Sequence, residues 1–102
     1  MGQLAFAPQG DTKNVAVTST AATIVLDAAT LHAESLRLTN AGTQIVFVEI
    51  SSGATAKAAT AAASMPLLAN STLIVTAARS TFVSAIATAT GSTLYVTPGT
   101  GV

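Results

Sequence analysis

Short runs of strand-like residues, divided by turn-forming residues at roughly 8–12 position intervals, constrain this chain more than any other feature. Asn14-Val15-Ala16-Val17-Thr18-Ser19 alternates, with Val15 and Val17 on one face, and Ala22-Thr23-Ile24-Val25-Leu26 follows after a short polar break. In Ser35-Leu36-Arg37-Leu38-Thr39 the leucines point one way and Arg37 the other, and Asn40-Ala41-Gly42 then supplies turn chemistry. The run from Gln44 to Ile50 is apolar on both faces: Val46, Val48 and Ile50 on one, Ile45 and Phe47 on the other. A strand of that kind in so short a chain belongs at a sandwich centre or an intersubunit contact. Three further strands are expected at 72–76, 82–86 and 92–97, introduced by Asn70-Ser71 and Gly91 and closed by Pro98-Gly99.

The segment from Ser52 to Leu68 resists this reading. Its Ala-rich core has helix propensity, but interspersed threonines weaken it and no amphipathic stripe runs through it. The expectation is a long loop with one short helical turn, ending in a short strand around Met65-Pro66-Leu67-Leu68. The whole chain then reads as one all-β domain, a small β-sandwich or jelly roll of about seven to eight short antiparallel strands. An extended N-terminal arm over about residues 1–12 and a short Gly-rich tail over about 98–102 flank it. Connectivity is open at this point.

Composition says how such a domain must be stabilised. Half of the 102 residues are hydrophobic, but many are alanine, and there are only three Phe, one Tyr and no Trp. At about 25 cal/mol per Å² of buried apolar surface, an alanine-rich core is thin. No cysteine is present to staple it. A thin core commonly gains its missing burial from neighbouring subunits, so an oligomer is expected. Charged residues make up 8% of the chain with zero net charge, against about 25% in an average soluble protein. With Lys13, Arg37, Lys57 and Arg79 scattered and matched by Asp11, Asp27, Glu34 and Glu49, there is no basic footprint for a nucleic acid. The opening residues lack the pattern of a secretory signal, and no apolar run approaches the ~18 residues of a membrane helix, so neither export nor a membrane partner is expected.

A search for chemistry returns no catalytic, cofactor-binding or metal-binding residues. His32 invites grouping with Asp27 and Glu34, yet no nucleophile motif accompanies it and the three flank a polar stretch suited to a solvated loop. Asp27 and Glu34 as a hydrolytic carboxylate pair fare no better, and the Gly-rich end lacks the helix a phosphate loop requires. Not an enzyme, then; what remains is surface. Ile45, Phe47, Ile74 and Tyr95 fall opposite the main core pattern, and Leu4 and Phe6 mark the N-terminal arm; these six are the candidate interface.

Several stretches carry a resemblance: Asn14-Val15-Ala16-Val17-Thr18, Leu36-Arg37-Leu38-Thr39-Asn40-Ala41-Gly42-Thr43 followed by Val46-Phe47-Val48, Met65-Pro66-Leu67, and Gly91-Ser92-Thr93-Leu94-Tyr95-Val96-Thr97-Pro98-Gly99. From about Asn14 to Gly99 the chain resembles small virion proteins of tailed bacteriophages, in particular capsid decoration (cement) proteins. The Ala/Thr-rich stretch from Lys57 to Ala63 departs from that pattern. The resemblance implies a structural protein of the virion exterior, made in the host cytoplasm, whose partner is the major capsid protein, whose role is to bridge adjacent capsomers, and which forms a homo-dimer or homo-trimer at a local symmetry axis. The alternative is a tail, fibre or baseplate component that recognises a host surface, for which Phe82 and Tyr95 gathered at one loop end would speak. A small glycosidase-like accessory hydrolase would need Asp27, His32 and Glu34 in one pocket.

Overall fold

A computed structural model describes residues 7–8, 12–26, 35–51, 57–76 and 82–100. The β periodicity is realised: among the described residues there are nine strands, β1 (Ala7–Pro8), β2 (Lys13–Val17), β3 (Ala22–Val25), β4 (Ser35–Gly42), β5 (Val46–Ser51), β6 (Met65–Leu67), β7 (Ser71–Thr76), β8 (Phe82–Ile86) and β9 (Ser92–Thr100). The antiparallel pairs β2–β9, β3–β8, β4–β7 and β5–β6 are nested one inside the next. That is an eight-stranded hairpin rolled up on itself, the winding of a jelly roll. Rolling it adds the β4–β9 and β5–β8 pairs. Two sheets result: sheet I in the order β2-β9-β4-β7, with β1 also on β9, and sheet II in the order β3-β8-β5-β6. The all-β sandwich expected from periodicity is present, and strand order selects the jelly-roll winding.

Alternation puts one side of every strand in the core. In sheet I, Val15, Leu94 and Asn40 stand in one register row, and Val96, Leu38 and Leu73 in the next. In sheet II, Ile24, Val83 and Ile50 form a row, with Ala22, Ala85 and Val48 beside it. Among the described residues the largest fully buried side chains are leucines and valines, with Asn40, Pro98 and Ser84, and none is aromatic. At about 1.5–3 kcal/mol for each large apolar side chain, this core stabilises the fold with little reserve.

Three boundaries differ from expectation, each for a physical reason. Asn40-Ala41-Gly42 is not a turn but the end of β4, opposite Leu94, Thr93 and Ser92. Asn40 points inward, where its Nδ2 donates to the carbonyls of Gln44 at 2.7 Å, Leu67 at 3.0 Å and Leu68 at 3.1 Å. Its polarity is used inside the fold. Gly42 permits the close approach that follows, since a Cβ there would lie 2.2 Å from the Gly91 carbonyl oxygen. The chain turns instead at Thr43 and Gln44.

The tail expected from Pro98 is also corrected, because β9 runs through Pro98 and Gly99 to Thr100. Pro98 is buried opposite Leu36. On the other flank β2 ends at Lys13 opposite Val96 and β1 pairs Pro8 with Gly99. Pro98 falls in the gap between those two strands, the kind of position where a missing N–H is tolerated. β1 itself was not expected: within the arm, Ala7 and Pro8 form a short strand against Thr100 and Gly99. By contrast, Asn70 does form the expected turn, with φ of 54°.

Candidate interaction surfaces

The two sheets treat their outer faces differently. On sheet I, the outward positions are Asn14 and Ala16 of β2, Thr93, Tyr95, Thr97 and Gly99 of β9, Ser35, Arg37, Thr39 and Ala41 of β4, and Thr72, Ile74 and Thr76 of β7; Ser35 and Gly99, at one end, are buried and the others are at least partly open. Tyr95, 39% exposed, stands in the middle of a row running Asn14, Tyr95, Thr39, Thr72. Threonines suit these strands because their branched Cβ fits the pleat while the hydroxyl faces out. Several hydroxyls satisfy one another across strands: Thr39 and Thr72 Oγ1 atoms are 3.2 Å apart, and Thr12 and Thr97 Oγ1 atoms 2.8 Å apart. Arg37 is the one charged side chain among these outward positions. The face is a threonine-rich field with an aromatic centre and a single cation.

Sheet II carries a strap of its own chain. Residues 57–64, between β5 and β6, cross its outer face and are held by outward side chains of β5 and β8. The Lys57 N–H donates to Ser51 Oγ at 3.3 Å, the Ala59 N–H to Ser84 Oγ at 2.9 Å, and the Ser64 hydroxyl to Glu49 Oε1 at 3.0 Å. Lys57 Nζ stands 3.8 Å from Glu49 Oε2, with the lysine well exposed. Ser84 is an outward residue by register, yet it is 0% exposed because the strap covers it. Within the strap, Thr60 Oγ1 accepts the Ala63 N–H, and the Ser64 N–H donates to the Thr60 carbonyl. This is the single helical turn expected of the segment, capped by Thr60.

The six interface candidates divide between these faces. Tyr95 and Ile74 belong to the open face of sheet I. Phe47 is outward on sheet II between Ile86 and Pro66, with Ile45, 44% exposed, just before β5. They form two patches on opposite sides of the sandwich, not one. Leu4 and Phe6 lie outside the described residues, as do Asp27, His32 and Glu34. Phe82 is outward on sheet II beside Val25 and Ser51, so Phe82 and Tyr95 face opposite sides of the sandwich. Among the described residues no three His, Cys, Asp or Glu side chains are grouped to hold a metal ion.

Two features escaped sequence reasoning. The threonine field was legible in part, since Thr93-x-Tyr95-x-Thr97 and Thr72-x-Ile74-x-Thr76 repeat at strand spacing. The incomplete cover of β7, where Leu73 is 37% exposed although it faces inward, had no sequence signal. No family model, curated protein or solved structure significantly matches this chain.

Proposed function

We propose that this protein is a structural component of a phage virion that binds the outside of the assembled capsid and stabilises it by bridging adjacent capsomers. The observation that carries this reading is the placement of the aromatic residues. Among the described residues, Phe47, Phe82 and Tyr95 all point away from the core, which is built of leucine, valine, isoleucine and alanine. Aromatic side chains are the largest source of burial a small domain has. A chain that turns them outward is suited to burying them against something else, and Tyr is enriched where proteins dock. The open face of sheet I, low in charge and lined with hydroxyls, suits a wide, water-tolerant contact with a coat protein. The resemblance to decoration proteins supplies the identity of that partner.

The physical role follows from linkage. A ligand that binds only the assembled lattice stabilises it by mass action, and many identical weak contacts add through multivalency. Quantitative mass spectrometry of purified particles tests the reading. One copy per coat subunit, or a simple fraction fixed by local symmetry axes, is the expected result. A handful of copies per particle, or none, removes it.

A further inference from the structure

Edge strands expose unpaired backbone N–H and C=O groups, and natural sheets blunt them with short length, proline or lysine. Three of the edges here are blunted or short. β6 has three residues with Pro66 in the middle, the far side of β9 carries β1 with Pro8 and β2 with Lys13, and β3 has four residues. β7 is the exception: Ser71-Thr72-Leu73-Ile74-Val75-Thr76 has no charge and no proline, and among the described residues only β4 pairs with it.

A second observation points the same way. Every other strand of four or more residues in the sandwich contributes a buried apolar side chain to the core, but no residue of β7 is buried. Leu73 and Val75 face inward in register with Leu38 and Leu36, yet remain partly open. The core is unfinished along this edge.

We propose that β7 pairs antiparallel with β7 of a second copy of this chain about a twofold axis through Ile74. The sequence of the strand selects both partner and register. Thr72-Leu73-Ile74-Val75-Thr76 reads by class the same from either end. Centred on Ile74, each copy's Leu73 opposes the second copy's Val75, Ile74 opposes Ile74, and Thr72 opposes Thr76. Side chains directly opposite in an antiparallel pair interact at about 4.5–5.5 Å between Cβ atoms, so every apolar residue meets an apolar one and every threonine a threonine. The register also keeps inward residues inward in both copies, and sheet I continues as one sheet across the axis. Zero net charge and an uncharged strand leave no long-range repulsion between copies. The contact is isologous, the closed symmetry expected of a dimer, and it leaves the open face around Tyr95 uncovered.

The test uses the full chain in solution and does not require a virion. Sedimentation equilibrium is expected to show a dimer, and Ile74→Lys, which sets two cations face to face, to give a monomer with an unchanged circular dichroism spectrum. Because the chain has no cysteine, Ile74→Cys adds a second readout. Opposed Cα atoms stand about 4.5–5.5 Å apart, inside the roughly 4.4–6.8 Å window of a disulfide, so mild oxidation is expected to link two copies. Thr76→Cys is expected not to link, since the twofold separates the two Thr76 positions by about 14 Å along the strands. A folded wild-type monomer at high concentration, a trimer, or equal cross-linking of both cysteine variants would overturn the pairing. A dimer that never appears on particles leaves the pairing intact and removes only the capsid role.

Discussion

Sheet I fixes the chain from its inside and sheet II from its outside. In sheet I the anchoring polar side chains point inward. Asn40 holds the carbonyls of Gln44, Leu67 and Leu68, and the Ser92 hydroxyl both accepts from the Gln44 N–H and donates to the Gln44 carbonyl, each at 3.0 Å. These bonds tie the β4–β5 and β6–β7 connections to the sheet without using its outer face. In sheet II the anchors, Ser51, Ser84 and Glu49, point outward and hold the strap. The same polar residue types therefore leave most of one face open and cover part of the other. A small domain with few large side chains gains stability from both arrangements, but only the first leaves a surface for a partner.

The comparison ranks substitutions by effect on stability. Asn40→Ala should be the largest, because it removes a buried donor shared by three carbonyls: those of Gln44 and Leu68 keep the Ser92 and Ser71 hydroxyls, while that of Leu67 loses its side-chain donor. Leaving buried polar groups unpaired costs about 1–3 kcal/mol each, offset in part because Asn40 Oδ1 is itself a buried acceptor without a partner among the described residues. A loss of about 3 kcal/mol in urea unfolding is the expected outcome. Ser84→Ala comes next, at about 1–2 kcal/mol, since it leaves the Ala59 N–H without its acceptor under the strap. If Ser84→Ala costs as much as Asn40→Ala, the strap is as essential as the inner anchors and the contrast between the sheets dissolves.

The sequence showed strands better than it showed which face each strand leaves open. Alternation in Val15-x-Val17 and Leu36-x-Leu38 located core residues because a period of two is imposed locally by the pleat. Asn40 and Pro98 were placed in a turn and a tail because their local preferences point there. Tertiary context overrides both, through three inward carbonyls for Asn40 and a gap between β1 and β2 for Pro98. Opposite-facing residues such as Phe47 and Tyr95 were correctly separated from the core. That they belong to different sheets depends on strand order, which no local pattern encodes. The strap is a third case: Ser84 alternates as a surface residue and is buried only because a segment distant in sequence lies over it.

Glu49→Gln separates the strap's charge from its hydrogen bonding. Glutamine keeps an oxygen to accept from the Ser64 hydroxyl and removes only the ion pair with Lys57, whose side chain is 72% exposed at 3.8 Å. An ion pair that open to solvent is screened, so a change below about 0.5 kcal/mol is expected, with little difference between low and high salt. A larger, salt-sensitive loss would mean that the strap is held by charge.

The smallest effect on stability is expected at the centre of the bare face, and it is the one that bears most on function. Tyr95→Thr replaces an outward, partly exposed ring by a residue with similar preference for strands, flanked by the threonines that already surround it. Unfolding should shift by less than about 0.5 kcal/mol. If the face of sheet I docks on a coat lattice, the same variant should bind purified particles lacking this protein at least about tenfold more weakly, because a central aromatic anchor carries a disproportionate share of a contact. Phe47→Thr, on the opposite side between Pro66 and Ile86, should do the reverse, lowering stability by about 1 kcal/mol while particle binding is retained. Equal binding by wild type and Tyr95→Thr would move the docking surface off sheet I, and loss of binding in Phe47→Thr alone would place it on sheet II, beside the strap instead of opposite it.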